Sequence, residues 1–366
     1  MPKFVPGIDL SHRFYWETVR PLLDQHYPGL ELAAGLIGPG SEVLGFDTEM
    51  SMDHSWFPKV MIFLRDQDNI LAEPIHEMLR WNLPFSFNGF SLHLVEIPGE
   101  PGTFWMQERQ DYPINHNIHP KTLRSFCFQF MSWDIQQTLT AADWLTFPSQ
   151  VLRSITSGAI HHDSIGELSA LRERLAWYPE DIWLYMLAAG WYRIGDEEHL
   201  MPRAGFVGDE LGSAIIGSQL VRDIMSLCFL MEKAYAPYSK WFGTAFQQLN
   251  CAGGLTPILR HVQLAETWQK RAAALGEAYQ FLAKMHNGLG ITERLPERVS
   301  SFYSRPFNVI HGDIYAQAII EKIDDPRVQE IAVQTVIGNV DQFSDSTKFL
   351  SDLSRRSALC QLYAPE

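Results

Sequence analysis

The stretch ELAAGLIGPGSE (31–42) constrains the chain most, because a short apolar run passes directly into a Gly-Pro-Gly-Ser turn. Such a run reads as a buried strand, and the glycines mark a tight turn at its end. Its neighbours supply the rest of a small layered unit. Residues 8–28 (IDLSHRFYWETVRPLLDQHYP) read as an opening helix, capped near Asp9 or Ser11, with Phe14, Val19 and Leu22 along one side. KVMIFLRD (59–66) is a second strand, LAEPIHEMLRWNLP (71–84) a helix stopped by Pro84, and GFSLHLVEI (89–97) a third strand. Helix, strand, turn, strand, helix, strand is the order of a small α/β unit with helices on its faces.

The texture changes after about residue 120. DIWLYMLAAGWYRI, SAIIGSQLVRDIMSLCFLMEKAY and TWQKRAAALGEAYQFLAKMHNGL carry apolar residues at helical spacing, as a helical bundle does. DWLTFPSQ (143–150) and YAPYSKWFG (235–243) interrupt the pattern as ordered, aromatic-rich turns. The expected class is α+β: a small mixed sheet with flanking helices over 1–120, an all-α bundle over 121–290, and a C-terminal segment, 291–366, packed on the bundle. A chain of 366 residues has room for two domains.

Composition narrows the function classes. Forty-three acids against 29 bases give a formal net charge of -14, and no Lys/Arg cluster offsets it, which disfavours nucleic acid as a partner. Eleven Trp and 22 Phe argue against disorder. The four cysteines are scattered and form no CxxC pair, as in a reducing compartment. The first residues hold no signal-peptide core, and no run of about 18 apolar residues suggests a membrane span. The expected location is the cytoplasm.

The chemistry is concentrated in GLIGPGSEVLGFDTEMSMDHSWFPKVMIFL (35–64). A Gly40-Ser41 turn lets backbone N–H groups and a hydroxyl approach phosphates, since glycine has no Cβ in the way. Carboxylates two residues apart on a strand share a face and can hold Mg²⁺. A third acid from a neighbouring strand completes a two-metal site for in-line displacement. Glu96, set between Val95 and Ile97, is the choice for that acid, with His93 as its substitute and a surface glutamate as the alternative reading.

Here the chain resembles the DNA polymerase β-like nucleotidyltransferase superfamily, whose signature is a Gly-Ser turn, a spacer of this length and an Asp-x-Asp or Asp-x-Glu pair. More closely it resembles a nucleotidyltransferase-like family classed as domain of unknown function 4037. GSEVLGFDTEMSMDHSW, DWLTFP, GDELGS, YAPYSKWFGTAF and DQFSDST carry the resemblance, from about residue 35 to 350. It implies a catalytic-type first domain joined to a helical bundle that helps shape the substrate cleft. Where the family pattern has a second acid, this chain has Ser55, a neutral and weak metal ligand. Asp53 would then hold metal with one charge missing, and Asp47 and Glu49 are the candidates to substitute for it.

The resemblance implies transfer of a nucleoside monophosphate from ATP, or another NTP, to a small-molecule acceptor with Mg²⁺. Gly40 and Ser41 would cradle phosphates, and Asp53 and Glu96 would bind metal. Lys240 would meet the triphosphate as a point charge, unless it is a solvated lysine. Asp143 would act as general base, as a carboxylate beyond the first domain does in aminoglycoside-modifying relatives, against a helix-cap role. Asp209 and Glu210 lie in another of the resembling segments. Ser55 motivates the alternative, a degenerate nucleotidyltransferase fold that binds a nucleotide or a partner without turnover. An RNA-processing helical module is a more distant reading. Its Arg–His spacing occurs at Arg193/His199 but equally at Arg20/His26, Arg109/His116 and Arg305/His311, so it discriminates nothing. His161, His162, His116 and His119 read as loop histidines without further ligands at metal spacing.

Overall fold

The computed structural model describes residues 2–364. Helix α1 (Gly7–Phe14) runs through a π turn (Tyr15–Val19) into α2 (Arg20–His26). Strand β1 (Leu32–Leu36) is buried along its whole length and leads into the short helix α3 (Ser41–Leu44). A 3₁₀ turn (Glu49–Asp53) precedes β2 (Met61–Leu64), and α4 (Ala72–Asn82) follows. Two hairpins come next, β3 (Ser86–Phe87) with β4 (Phe90–Ser91) and β5 (Leu94–Glu96) with β6 (Phe104–Met106). Then come β7 (Lys121–Thr122), α5 (Leu123–Met131), α6 (Ala141–Thr146), α7 (Ser149–Thr156), β8 (Ala159–Asp163) and α8 (Glu167–Arg174).

The four-stranded sheet has the order β7-β2-β1-β8. β1 pairs antiparallel with β2 (Leu32 opposite Leu64) and with β8, and β2 pairs parallel with β7, so the sheet is mixed. At Gly35 the β1–β8 register shifts. A Cβ there would stand 2.7 Å from the Ala159 carbonyl oxygen, so the bulge needs glycine. Under the sheet, Leu10, Phe14, Val19 and Leu23 of the opening helices meet Ile62, Leu64, Trp56, Ile75 and Leu79 in one apolar core.

Two compact units result. The α/β unit comprises 2–138 and 151–176; the helical unit comprises 139–150 and 177–364. The expected boundary at 120 therefore moves. The sheet recruits its edge strand β8 from beyond the first excursion into helical sequence, so 151–176 belongs with β1. The segment 89–97 is likewise two short strands rather than one, and neither joins the main sheet. Asn88-Gly89 turns the chain back first, both residues with positive φ (50° and 84°), as a two-residue hairpin requires.

The helical unit contains α9 (Glu180–Glu197), α10 (Leu200–Phe206), α11 (Glu210–Met231), α12 (Ser239–Phe246), α13 (Ala252–Leu264) and α14 (Trp268–Leu289). The hairpin β9 (Ser300–Ser301)/β10 (Asn308–Val309) and helices α15 (Gly312–Ile320) and α16 (Pro326–Gln334) complete its framework. α15 packs on α9 by close backbone approach at Gly195 and Gly312, where a Cβ would meet the facing main chain. α11 is long and apolar enough to cross a membrane by length and composition. It packs against α9, α10, α13 and α14, and 56% of its most apolar window is buried, as in the core helix of a bundle.

Candidate functional site

The Gly-Ser turn forms as expected at the end of β1, and the reason for its glycine is visible. Gly40 has φ 146° and ψ 143°, a region that L side chains rarely enter, and a Cβ there would collide with the Glu42 carboxylate. Glu42 is buried (4% exposed) and receives Lys59 Nζ at 2.6 Å, from the residue just ahead of β2. The Lys59 ammonium also stands 4.7 Å from the centre of the Phe57 ring. Ser41 starts α3, and its hydroxyl faces that of Ser51 at 3.5 Å.

Beside this turn the α/β unit has a cleft of about 440 Å³. Gly40, Ser55, Phe57, Lys59, Phe104, Asn117, His119 and Lys121 are among the residues that line it. No carboxylate is among the described residues that line it. Partial burial and the neighbouring His76 and Lys121 hold His119 below the usual histidine range, so it is neutral near pH 7. The size suits a small organic ligand.

The four acids expected to hold Mg²⁺ lie outside this lining, and three of them have another engagement. Asp47 Oδ2 accepts from Gly7 N–H (2.7 Å) and Trp56 Nε1–H (3.0 Å), which docks the first turn of α1. Glu49 is exposed in the 3₁₀ turn. Asp53 ends that turn, exposed, with Oδ1 2.8 Å from His54 Nδ1. Glu96, at the end of β5, accepts from Gly102 N–H (2.6 Å) and closes its hairpin. Ser55 faces the cleft, but its φ of 50° is left-handed, and it pairs with Phe104 through both its N–H (2.6 Å) and its hydroxyl (3.3 Å). Asp53 and Ser55 therefore do not stand at i and i+2 on a strand, and the shared carboxylate face that a strand would create does not form. Among the described residues no three of His, Cys, Asp and Glu gather as metal ligands. The residues present do not fit a pair of Mg²⁺ ions.

Asp143 and Lys240 belong to the helical unit. Asp143 closes a capping box with Thr140 at the start of α6 and accepts from Arg356 at 2.6 Å, both side chains largely buried. Lys240 lies in the first turn of α12, exposed, with Nζ 4.8 Å from the Trp241 ring centre. Asp209 caps α11 through Gly212 N–H at 2.7 Å, and Glu210 accepts from Trp268 N–H at 3.1 Å.

The histidines are also engaged. His161 and His162 lie on β8 rather than in a loop, with His161 Nε2 2.8 Å from the Ser11 hydroxyl. His93 Nδ1 accepts from Asn115 N–H (2.9 Å), and His116 bonds to the main chain of His76 and Ile118, its pKa pushed by burial to about 3. Lys59, Lys121 and Glu42 were not among the expected site residues. A signal existed for two of them: Glu42 follows the Gly-Ser turn directly, and Lys59 opens an otherwise apolar run.

Comparison with curated proteins finds no match. Among solved structures, the chain is similar to a nucleotidyltransferase-like protein from Exiguobacterium sibiricum 255-15. That similarity has 10% identity and a TM-score of 0.33, over 78% of this chain and 82% of that one. A family model matches residues 144–242, which run from α6 through β8 to α12. The description of that model is Domain of unknown function (DUF4037).

Proposed function

We propose that the α/β unit is a nucleotidyltransferase-like module that binds a nucleotide in the Gly40 cleft without two-metal turnover. One observation carries the reading: Lys59, paired with Glu42, and Lys121, in no ion pair among the described residues, line the cleft, and no carboxylate does. Nucleotidyl transfer through Mg²⁺ requires acids at the phosphates, because the ion gives up water reluctantly and needs anionic oxygen in exchange. Lysines do the opposite and favour the phosphates themselves. Phe57 and Phe104 offer apolar walls for a base, and Asn117 and Ser55 offer polar groups for its edges. Transfer of a nucleoside monophosphate to a small acceptor is the reading this arrangement supports less well. The four cysteines are free, three of them buried, which suits a reducing compartment such as the cytoplasm.

Two substitutions test the reading. Lys121→Met removes a cation that no buried acid depends on, and should weaken ATP binding about tenfold, the loss of one partly solvated charge contact. Asp53→Asn should leave affinity unchanged. The reverse pattern, with Asp53 essential and Lys121 dispensable, would restore the metal-dependent enzyme. Ser55→Asp should yield no pyrophosphate release from any NTP, since the added acid has no carboxylate partners in the cleft.

A further inference from the structure

Three segments singled out in the sequence meet in the helical unit, away from any role assigned above. Ser149, following DWLTFP, Tyr235, Tyr238 and Phe242 of YAPYSKWF, and Asp341 of DQFSDST line one aromatic pocket against α11. The pocket holds about 70 Å³, room for several heavy atoms where one water needs roughly 10–15 Å³. It continues into a crevice of about 460 Å³ with which it shares Arg222, Asp341 and Asp345.

The charges here do not cancel. Arg222 pairs with Asp345 at 3.1 Å, and Arg193 pairs with Asp223 at 3.0 Å. Asp341 is the remaining acid. Its Oδ2 accepts from Ser149 N–H at 2.7 Å and from the Asn339 side-chain amide at 3.3 Å, both neutral donors. Among the described residues no cation forms an ion pair with it. A carboxylate enclosed by tyrosine and phenylalanine rings, with one negative charge in excess, is complementary to a cation that carries its own apolar substituents. Hydrated Na⁺ or K⁺ would gain little from ring walls, whereas an organic ammonium gains both the charge and the ring faces.

We propose that this pocket binds an organic ammonium ion, its charged head against Asp341 and among the Tyr235, Tyr238 and Phe242 rings, its remainder along the adjoining crevice. A primary ammonium would donate N–H to the carboxylate; a quaternary one would use the ring faces and the carboxylate's charge without a hydrogen bond. The inference rests on the helical unit and stands independently of nucleotide binding in the α/β unit.

The test is titration of the full chain with butylammonium, tetramethylammonium and, as a neutral control, 1-butanol, read by tryptophan fluorescence, since Trp177 lines the pocket. Saturable binding of at least one cation, and none of butanol, is expected. Asp341→Asn should weaken cation binding about tenfold, and Tyr238→Leu, at a partly exposed ring, by about threefold, the scale of one cation–π contact. Should Asp341→Asn fail to fold, Tyr238→Leu decides alone. Butanol binding as well as butylammonium, no saturable response to either cation, or cation binding untouched by Tyr238→Leu and Asp341→Asn would each overturn the proposal.

Discussion

Removing Lys59 tests the account of the Gly40 turn, because that lysine is tied to a carboxylate with little other solvation. Glu42 is 4% exposed and the Lys59 side chain 19% exposed, with 2.6 Å between their charges. At an effective dielectric of about 20 the gross attraction is about 6 kcal/mol, most of it offset by the desolvation of both groups. Deleting one partner of a buried pair costs about 3–5 kcal/mol, since the other charge stays buried. Partial exposure of the lysine puts Lys59→Met at the lower end, about 3 kcal/mol. Hydrogen exchange at the β1 and β2 amides reads the α/β unit specifically, and 3 kcal/mol corresponds to about a hundredfold faster exchange through global opening. Glu42→Gln in the Lys59→Met background removes the stranded charge and should recover most of the loss. A single variant within about 0.5 kcal/mol of wild type, or a double variant no better than Lys59→Met, would refute the argument that Glu42 depends on this lysine.

Other predictions follow from the same geometry. Gly40→Ala places a Cβ against the Glu42 carboxylate at φ 146° and should cost the α/β unit about 2 kcal/mol, read by the same amides. Asp143→Asn strips Arg356 of its carboxylate and should destabilise the helical unit by about 2 kcal/mol in calorimetry; a melting profile unchanged from wild type would contradict the pairing role. Glu198, 3% exposed, accepts from Ile310 and Gly312 N–H, yet burial pushes its carboxyl from 4.5 up to about 7. The folded state then holds this proton more tightly than the unfolded one. The group's contribution to stability therefore falls as pH rises from about 4.5 to 7, by about 3 kcal/mol in total, and is flat above. The difference in thermal midpoint between wild type and Glu198→Gln should change across that window; a constant difference from pH 4.5 to 8 contradicts the assignment.

The long helices α9, α11 and α14 were legible because apolar periodicity sustained over many residues leaves no other way to bury one stripe. β1 and β2 were legible as short apolar runs bounded by turns. β8 was not, because AIHHD carries two histidines and an aspartate. It earns its place through β1 pairing and the His161–Ser11 bond, neither of which leaves a local trace. The Asn88-Gly89 hairpin was legible, since that dipeptide is a strong two-residue turn signal, and it falls at the start of the stretch 89–97 that read as a single strand. The turn at Gly40 forms where it was expected, while none of the acids expected beside it lines the cleft. Asp47, Asp53 and Glu96 find their partners through loop conformations, with Gly7, His54 and Gly102, that no periodicity encodes.

The central claim is that the Gly40 cleft takes a nucleotide through lysines and not through metal. Calorimetric titration of the full chain with ATP, once in Mg²⁺ and once in excess EDTA, tests it most directly. The account predicts saturable binding in EDTA, within a few-fold of that in Mg²⁺ and with no pyrophosphate released in either. Binding that appears only with Mg²⁺, or release of pyrophosphate, would contradict it.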